Sequence, residues 1–319
     1  MAKKTLIWAV VGLLLAGCAA DPDPVVNNAG NDVVEADVGQ DVATADSGHD
    51  VVEPDVRLED IANDADEPDA DDTSEPAACP ESHSITVTEA SQLRNVAACR
   101  TIPGSLVIEV SLGVQSIALP LLEDVGEELV IRLQDATTSL DLSGLRTIGV
   151  ALVIDENHAL DELHLPLLTS VGQRLAVITN NALTSVRFDV LGMVGEDLVS
   201  FLVPSVNIWN NALLTTLEMP ELKEVFGGIG FNVHQNPRLA TLALPSLEAT
   251  SELTLANMSA LQSVSFPSLT SIGGLLLVIS NSALPTCQAQ ALATSASPAR
   301  VCIMMNASDN CADNISGCS

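Results

Sequence analysis

The sequence predicts an all-β fold in which short strands coil into a solenoid of about eight turns, each of about 23 residues. From Pro103 onward, apolar pairs two residues apart recur at steps close to this length. Six cysteines flank the array at both ends and none lies within it. The 319 residues include no tyrosine, five phenylalanines and two tryptophans, so the core must be aliphatic. A solenoid with stacked aliphatic columns and cysteine-containing caps at its open ends accounts for all three observations.

Residues 1–18 have the pattern of an export signal that ends in a lipidation site. Two lysines precede an apolar run of about ten residues, which is too short to span a bilayer. The run ends in Leu-Ala-Gly-Cys at Cys18, which resembles the lipobox of bacterial lipoproteins. That resemblance implies a signal peptide at residues 1–17, acylation of Cys18 with chains such as palmitate, and anchoring in a lipid bilayer. Because Ala19 rather than Asp follows the cysteine, it also implies the outer membrane of a Gram-negative bacterium. The alternative is an ordinary secretory signal with an incidental cysteine.

Residues 18–78 are predicted to be a lipid-anchored, acidic, disordered linker. Residues 19–78 contain 19 acidic residues and one base, Arg57, in a chain of net charge -30. Dense like charge without aromatic residues cannot bury enough apolar area to offset the entropy of ordering. The charge also argues against nucleic acid as a partner, because phosphate binding needs clustered Lys and Arg. Calcium binding by the aspartates is the alternative, although no position has the spaced oxygens and turn glycine of a calcium loop.

Residues 79–319 are predicted to form the solenoid with its caps. The repeats align on Pro103, Gly126, Gly149, Gly172, Val203, Gly228, Thr250 and Gly273. Positions 3 and 5 after each anchor carry an apolar pair such as Leu106/Ile108, and positions 14 and 16 carry a second pair such as Ile117/Leu119. Position 19 is always leucine, and position 22 is Val, Ile or Thr. Residues two apart share one face of a strand, and prolines just after the second pair end that strand. Each repeat is therefore predicted to be one coil of short strands.

A polar column at position 8 is predicted to be structural. It comprises Gln134, Asn157, Asn180, Asn211, Asn236 and Asn281. Ser111 and Met258 interrupt it. An amide side chain at a tight corner can hydrogen-bond backbone groups of the coils above and below it, which would otherwise be unpaired.

The run from Asn157 to Val177 resembles the receptor L-domain repeat. It reads Asn-x-x-Leu-x-x-Leu-x-Leu-Pro-x-Leu-x-x-Val-Gly-x-x-Leu-x-Val. The resemblance covers roughly Cys79 to Cys318 and implies a right-handed, leucine-rich β-helix. In receptor families such domains bind protein ligands, so a protein partner of unknown identity is implied. No ligand-contacting residue can be transferred, because the motif positions are core or corner positions.

The six cysteines outside the signal region are predicted to form disulfides that cap the open ends of the solenoid. The first pair would enclose a short helix near residues 89–98, and the last four cysteines allow three connectivities. The favoured pairs are Cys79–Cys99, Cys287–Cys311 and Cys302–Cys318. A metal site is the alternative, but the spacings match no zinc pattern.

No catalytic constellation is recognisable. The densest polar cluster lies between Asp155 and His164 and could in principle bind a metal or hold an acid–base pair. Its residues alternate around a turn and a strand, so their side chains are expected to diverge. The sequence has no serine elbow, zinc-protease motif, phosphate loop or dinucleotide fingerprint. The chain is therefore predicted to be no enzyme and to use no cofactor or metal.

The outer side of the first strand is the predicted interaction surface. Its apolar residues include Val107, Val130, Val153, Ile178 and Trp209. An eight-residue insertion near residues 195–202, which contains Phe201, interrupts the array just before Trp209. Insertions in solenoids often map to the binding face. The alternative is that outward Val and Ile reflect only strand propensity.

These observations lead to one main functional hypothesis and two alternatives. The main hypothesis is a non-enzymatic, membrane-anchored surface lipoprotein whose solenoid mediates protein–protein recognition or adhesion. The first alternative is a structural component of the cell envelope without a specific ligand. The second is a β-helix that binds or cleaves glycans.

Overall fold

The computed structural model describes residues 79–109, 114–133, 136–195 and 203–318. These residues form a right-handed β-solenoid of about nine turns, which confirms the predicted fold class. The array is longer than the eight anchors indicate, because Ile85–Val87 pairs ahead of the first repeat and Arg300–Met304 pairs after the last. The predicted signal peptide, Cys18 and the acidic linker lie outside the described residues, as do Gln134 and Phe201.

Strands account for most of the regular structure. In chain order they are β1 (Ile85–Val87), β2 (Thr101–Ile102), β3 (Leu106–Glu109), β4 (Ser116–Ala118), β5 (Asp124–Val125), β6 (Glu128–Arg132), β7 (Ser139–Asp141), β8 (Thr147–Ile148), β9 (Ala151–Asp155), β10 (Glu162–His164), β11 (Ser170–Val171), β12 (Arg174–Ile178), β13 (Ser185–Arg187), β14 (Met193–Val194), β15 (Val206–Trp209), β16 (Thr216–Glu218), β17 (Glu224–Val225), β18 (Phe231–His234), β19 (Thr241–Ala243), β20 (Ala249–Thr250), β21 (Leu253–Ala256), β22 (Ser263–Ser265), β23 (Ser271–Ile272), β24 (Leu275–Ile279) and β25 (Arg300–Met304). Two α-helices, α1 (Leu93–Val96) and α2 (Thr286–Ala296), belong to the caps, and a 3-10 turn at Ala90–Gln92 precedes α1.

Each full coil contributes strands to three faces. The first face is a ten-stranded parallel sheet in the order β1-β3-β6-β9-β12-β15-β18-β21-β24-β25. The second face is divided into a β4-β7 pair and a five-stranded sheet, β10-β13-β16-β19-β22. The third is an eight-stranded sheet of two-residue strands, β2-β5-β8-β11-β14-β17-β20-β23. This third face was not among the predictions, which recognised its apolar column but not its strands.

In-register parallel pairing stacks like residues over like and builds the predicted core columns. Leu106 pairs with Leu129 and Ile108 with Ile131, and the same register continues along the first sheet. The position-19 leucines, from Leu122 to Leu269, are at most 2% exposed. A further column at position 11 is also fully buried: Leu160, Leu183, Leu214, Leu239, Leu261 and Leu284. At roughly 1.5–3 kcal/mol for each buried aliphatic side chain, these columns are the main stabilising contribution.

The corner between the first and second faces confirms the structural role of the asparagine column. Asn157, Asn180, Asn211, Asn236 and Asn281 are fully buried. Each amide nitrogen donates to a carbonyl of the preceding coil, as Asn180 Nδ2 does to Ile154 O at 3.0 Å. The residue before each asparagine has a left-handed backbone, for example Thr179 at φ 54°. The ladder also continues to Asn306, whose Oδ1 accepts from the Asn281 backbone N–H at 3.2 Å.

The N-terminal cap is the predicted disulfide-bonded helical segment. Cys79 and Cys99 are bonded, with their Cα atoms 4.8 Å apart. Between them, a capping box at Glu89 and Gln92 starts the helical turns that lead into α1. Val96 and Cys99 are buried against the first coil, so the cap covers apolar surface at the open end of the solenoid.

The C-terminal cap combines the two predicted disulfides with a helix that was not predicted. Cys287 is bonded to Cys311 and Cys302 to Cys318, which is the favoured connectivity. Helix α2 buries Ala289, Leu292 and Ala296 on one face. The exposed edge of β25 is covered by an antiparallel bridge between Ile303 and Asn314. Covering a terminal edge prevents it from pairing with another chain.

Candidate functional site

The outer side of the first sheet carries all the described residues of the predicted interaction surface. Val107, Val130 and Val153 stack in register, one in each successive coil. Their column continues through Ala176, Asn207, Asn232, Thr254, Leu277 and Cys302. Ile178 pairs with Trp209 in a second outward column, two residues further along each strand.

This surface is less exposed than the sequence suggested. Val130 is 8% exposed and Ala176 is 0% exposed, while Val107 and Val153 are half-buried. In the described part of the chain, the exposed large apolar side chains lie elsewhere. Leu121, Leu167 and Val190 follow the second strand of their coils, and Met305 and Ile315 lie near the C-terminal cap. The first-sheet surface therefore does not consist of a broad exposed apolar patch.

In the N-terminal part of this first-sheet surface, charged side chains of the second outward column form ion pairs between successive coils. Arg132 lies between Glu109, at 3.2 Å, and Asp155, at 3.3 Å. Burial raises the pKa of the Asp155 carboxyl, while the hydrogen bond and charge of Arg132 act in the opposite direction. Because these charges on successive coils satisfy one another, this end of the column has few groups left for a ligand.

Its centre is a patch of four residues on two neighbouring strands, β15 and β18. Asn207 pairs with Asn232 and Trp209 with His234 in the strand register. Asn232 Nδ2 donates to Asn207 Oδ1 at 3.2 Å. The rings of Trp209 and His234 are stacked, with centroids 5.3 Å apart and planes inclined by 4°. We call Asn207, Trp209, Asn232 and His234 the central patch.

Two buried polar atoms in and beside the central patch have no hydrogen-bond partner. They are Asn232 Oδ1 and Arg174 Nε, and they are the only such side-chain atoms found among the described residues. Asn232 is 8% exposed. Burial lowers the pKa of the Arg174 guanidinium, against the opposing charges of Asp155 and Glu128. Buried unpaired polar groups are costly and rare in native proteins, so each requires an explanation.

Burial also changes the chemistry of His234. It lowers the pKa of the imidazole from 6.5 to about 4. The ring is therefore neutral at pH 7, and its stack with Trp209 is a contact between two uncharged aromatic groups. Trp209 Nε1 donates to Gln235 Oε1 of the following coil, which holds the indole in this orientation.

The acidic and histidine cluster between Asp155 and His164 diverges, as predicted. Its members contact different partners on other coils. The pairs are Asp155 with Arg132, His158 with Asn181, Asp161 with Thr184 and His164 with Asp189. These bonding partners differ from one residue to the next, although Asp161, Glu162 and His164 line one open cleft.

A second candidate is an open cleft where the second face divides. Strands β7 and β10 are both described and follow each other in the array, yet no strand pairing joins them. The cleft is lined by Thr138, Ser139, Leu140, Asp161, Glu162 and His164. Its polar side chains are largely solvated or bonded to neighbouring coils, as Asp161 is to Thr184 at 2.9 Å.

One group of potential metal ligands occurs within the described ranges. Atoms of Cys287, Asp309 and Cys311 lie within 4.8 Å of one another. The two cysteines are joined in a disulfide, and both Asp309 oxygens accept backbone N–H groups, from Cys287 at 2.8 Å and Cys311 at 2.9 Å. The group is therefore explained as the anchor of the C-terminal cap.

Comparison with known protein families, curated proteins and solved structures finds no match to this chain. Across the described residues, no helix has the length and apolar character needed to cross a membrane.

Proposed function

We propose that this chain is a non-enzymatic, membrane-anchored surface lipoprotein whose β-solenoid mediates protein–protein recognition or adhesion. The anchor would be Cys18, on the strength of its lipobox-like context. The acidic residues 19–78 would separate the solenoid from the membrane. The receptor L-domain-like repeat is part of the same proposal, and it favours a protein partner over a small molecule.

The central patch is the observation that supports recognition most strongly. A purely structural solenoid gains nothing from leaving the buried Asn232 Oδ1 unpaired, since Val occupies the equivalent position at Val107, Val130 and Val153. Residues that lower stability without a local benefit are characteristic of binding surfaces. This argument favours recognition over the structural alternative.

The same patch argues against glycan binding through Trp209. Sugar rings bind to an exposed aromatic face, but one face of this indole is covered by His234. Its other neighbour in the column is Ile178 of the preceding coil. The indole therefore presents mainly its edge to the outside, which suits packing against a protein side chain better than stacking on a sugar.

The test uses the full chain on the cells that produce it. Mass spectrometry of the mature N-terminus should show an acylated Cys18, and an unacylated N-terminus would exclude the anchor.

Partner capture by chemical crosslinking should be lost in Trp209→Glu and Val153→Glu. The matched control is Ala243→Glu, on an exposed position of the second face. Unchanged capture in all three variants would favour the structural alternative.

A further inference from the structure

We propose that the central patch, together with Arg174, is a docking site for an extended, neutral or basic polypeptide segment of a protein partner. This inference rests on the proposed function and names the site and the chemistry of its ligand. It is carried by two unpaired buried groups of opposite hydrogen-bonding type on the outer side of the first sheet.

The two groups complement a peptide backbone. Asn232 Oδ1 is an acceptor that a backbone N–H can fill, and Arg174 Nε–H is a donor that a backbone carbonyl can fill, once the side chains that cover these buried atoms move aside. Arg174 begins β12 and Asn232 lies on β18, two coils further along the first sheet. Two coils correspond to ~10 Å at about 4.8 Å each, and Asn232 lies two residues further along its strand than the position level with Arg174. The two Cα atoms are therefore about 12 Å apart, which about four residues of an extended chain can span. An extended segment running across the strands can therefore engage both groups.

The neighbours of the central patch leave room beside it. Ala176 precedes Asn207 in the column, and Thr254 and Ala256 follow Asn232 and His234. These small side chains contrast with the valines of the first three coils and with Leu277 and Ile279 further on. The two asparagines thus have small side chains on both sides, whereas Trp209 and His234 have Ile178 on one side and Ala256 on the other.

Charge restricts the kind of segment that fits. The chain carries a net charge of -30, and Arg174 is flanked by Asp155 and Glu128. An acidic segment would be repelled by the whole protein and would gain little from one already compensated guanidinium. A neutral or basic segment is therefore the expected occupant.

The alternative explanation is that the asparagine pair serves the fold. The position-8 asparagines show what a structural amide looks like in this protein. Asn236 lies four residues from Asn232, and its oxygen accepts from Asn211 N and Nδ2 while its nitrogen donates to Ile208 O and His234 O. Asn232 makes one side-chain bond, to Asn207. The two residues therefore provide a matched comparison.

The first arm of the test measures stability in the full chain. Asn207→Val with Asn232→Val removes both amides together and installs the residue found at Val107, Val130 and Val153. The midpoint of unfolding should stay the same or rise, because no polar partner is left unpaired. Asn211→Val with Asn236→Val should lower the midpoint strongly. If the first double variant loses as much stability as the second, the asparagine pair is structural and the proposal is wrong.

The second arm measures binding to a displayed library of linear dodecapeptides and to a glycan array. Peptides selected by the unaltered protein should bind the Asn207→Val/Asn232→Val variant at least about tenfold more weakly, and Arg174→Met should weaken them as well. Glycans that bind the unaltered protein but not these variants would show that the ligand of this site is a glycan and not a peptide. Peptides that bind all variants equally would place the site elsewhere and leave protein recognition intact. If no peptide is selected and cell-surface crosslinking finds no partner, both this site and the proposed function fail.

Discussion

Asn157 and Asn180 occupy the same corner of consecutive coils, and one side chain bonds the next. Asn180 Oδ1 accepts from both the backbone N–H of Asn157, at 3.0 Å, and its Nδ2, at 2.9 Å. One buried oxygen therefore satisfies two donors of the neighbouring coil. Repetition of this contact closes the corner between the first and second faces, where the chain turns too tightly for strand pairing.

Removing one amide from this ladder should be costly. Asn180→Leu leaves the buried backbone N–H of Asn157 without its acceptor, and Asn157 Nδ2 keeps only its bonds to Ile131 O and Asp155 O. We expect the free energy of unfolding to fall by about 3 kcal/mol or more, measured by denaturant titration. Asn181→Leu, at the exposed neighbouring position, should change it by about 0.5 kcal/mol at most. Similar losses in both variants would show that the ladder contributes little.

The anchor glycines should be required for the close approach of successive coils. A Cβ atom on Gly149 would lie 1.9 Å from the carbonyl oxygen of Gly126. Gly149→Ala must push two coils apart, and we expect a loss of about 3 kcal/mol in the free energy of unfolding. Gly192→Ala is the control, because the nearest atom to its Cβ would be Thr169 O at 3.9 Å. If Gly149→Ala left the free energy of unfolding unchanged, the coils could not be as closely spaced at this position as the structure shows.

Left-handed corner residues offer a way to increase stability. Thr179 has φ 54°, an unfavourable conformation for a β-branched residue, whereas Asn210 occupies the same corner of the next coil at φ 56°. Thr179→Asn should raise the free energy of unfolding by about 0.5–1 kcal/mol, and Asn210→Thr should lower it by a similar amount. Thermal unfolding of the two variants measures this. Changes of the same sign in both would refute the explanation.

His234 should make stability depend on pH in a defined direction. Its pKa is about 4 in the folded protein because burial disfavours the imidazolium, against 6.5 for the ordinary side chain. The unfolded chain therefore binds more protons between these values. The histidine's contribution to stability is complete above pH 6.5 and is lost as the pH falls through about 4.

The measurement is the difference in unfolding free energy between the unaltered protein and His234→Gln. Both proteins share every carboxylate, so the acid sensitivity of the other groups cancels. We expect this difference to be constant above pH 7. As the pH falls to 4, the unaltered protein should lose unfolding free energy relative to His234→Gln. A difference that is independent of pH would show that His234 is readily protonated in the fold.

Periodicity allowed the sequence to predict the parts of the fold that repeat. The aliphatic columns, the asparagine corner and the cap disulfides each depend on a residue type that recurs or is confined to the ends. The third face was missed because two-residue strands such as Thr147–Ile148 are too short to show an alternation. Asn306 was missed because the last coil has no recognisable anchor, and α2 because it occurs once.

The candidate site was predicted only in part, for a different physical reason. Position along the strand correctly assigned Trp209 and Val153 to the outer side of the first sheet. Whether an outward side chain is buried depends on contacts between coils that sequence spacing does not reveal, so the burial of Ala176 was unexpected. The unpaired oxygen of Asn232 can be recognised only once every neighbouring hydrogen bond is known.

Site-specific photocrosslinking on intact cells is the direct test of protein recognition through the central part of the first sheet. A photoreactive residue placed at Ile178 or Thr254 of the full chain should give a discrete crosslinked protein product. The same residue at Ala243, on the second face, should give none. Equal crosslinking from both faces would contradict recognition through the first sheet. The absence of a product from the first face, while the protein is folded and present at the cell surface, would contradict it as well.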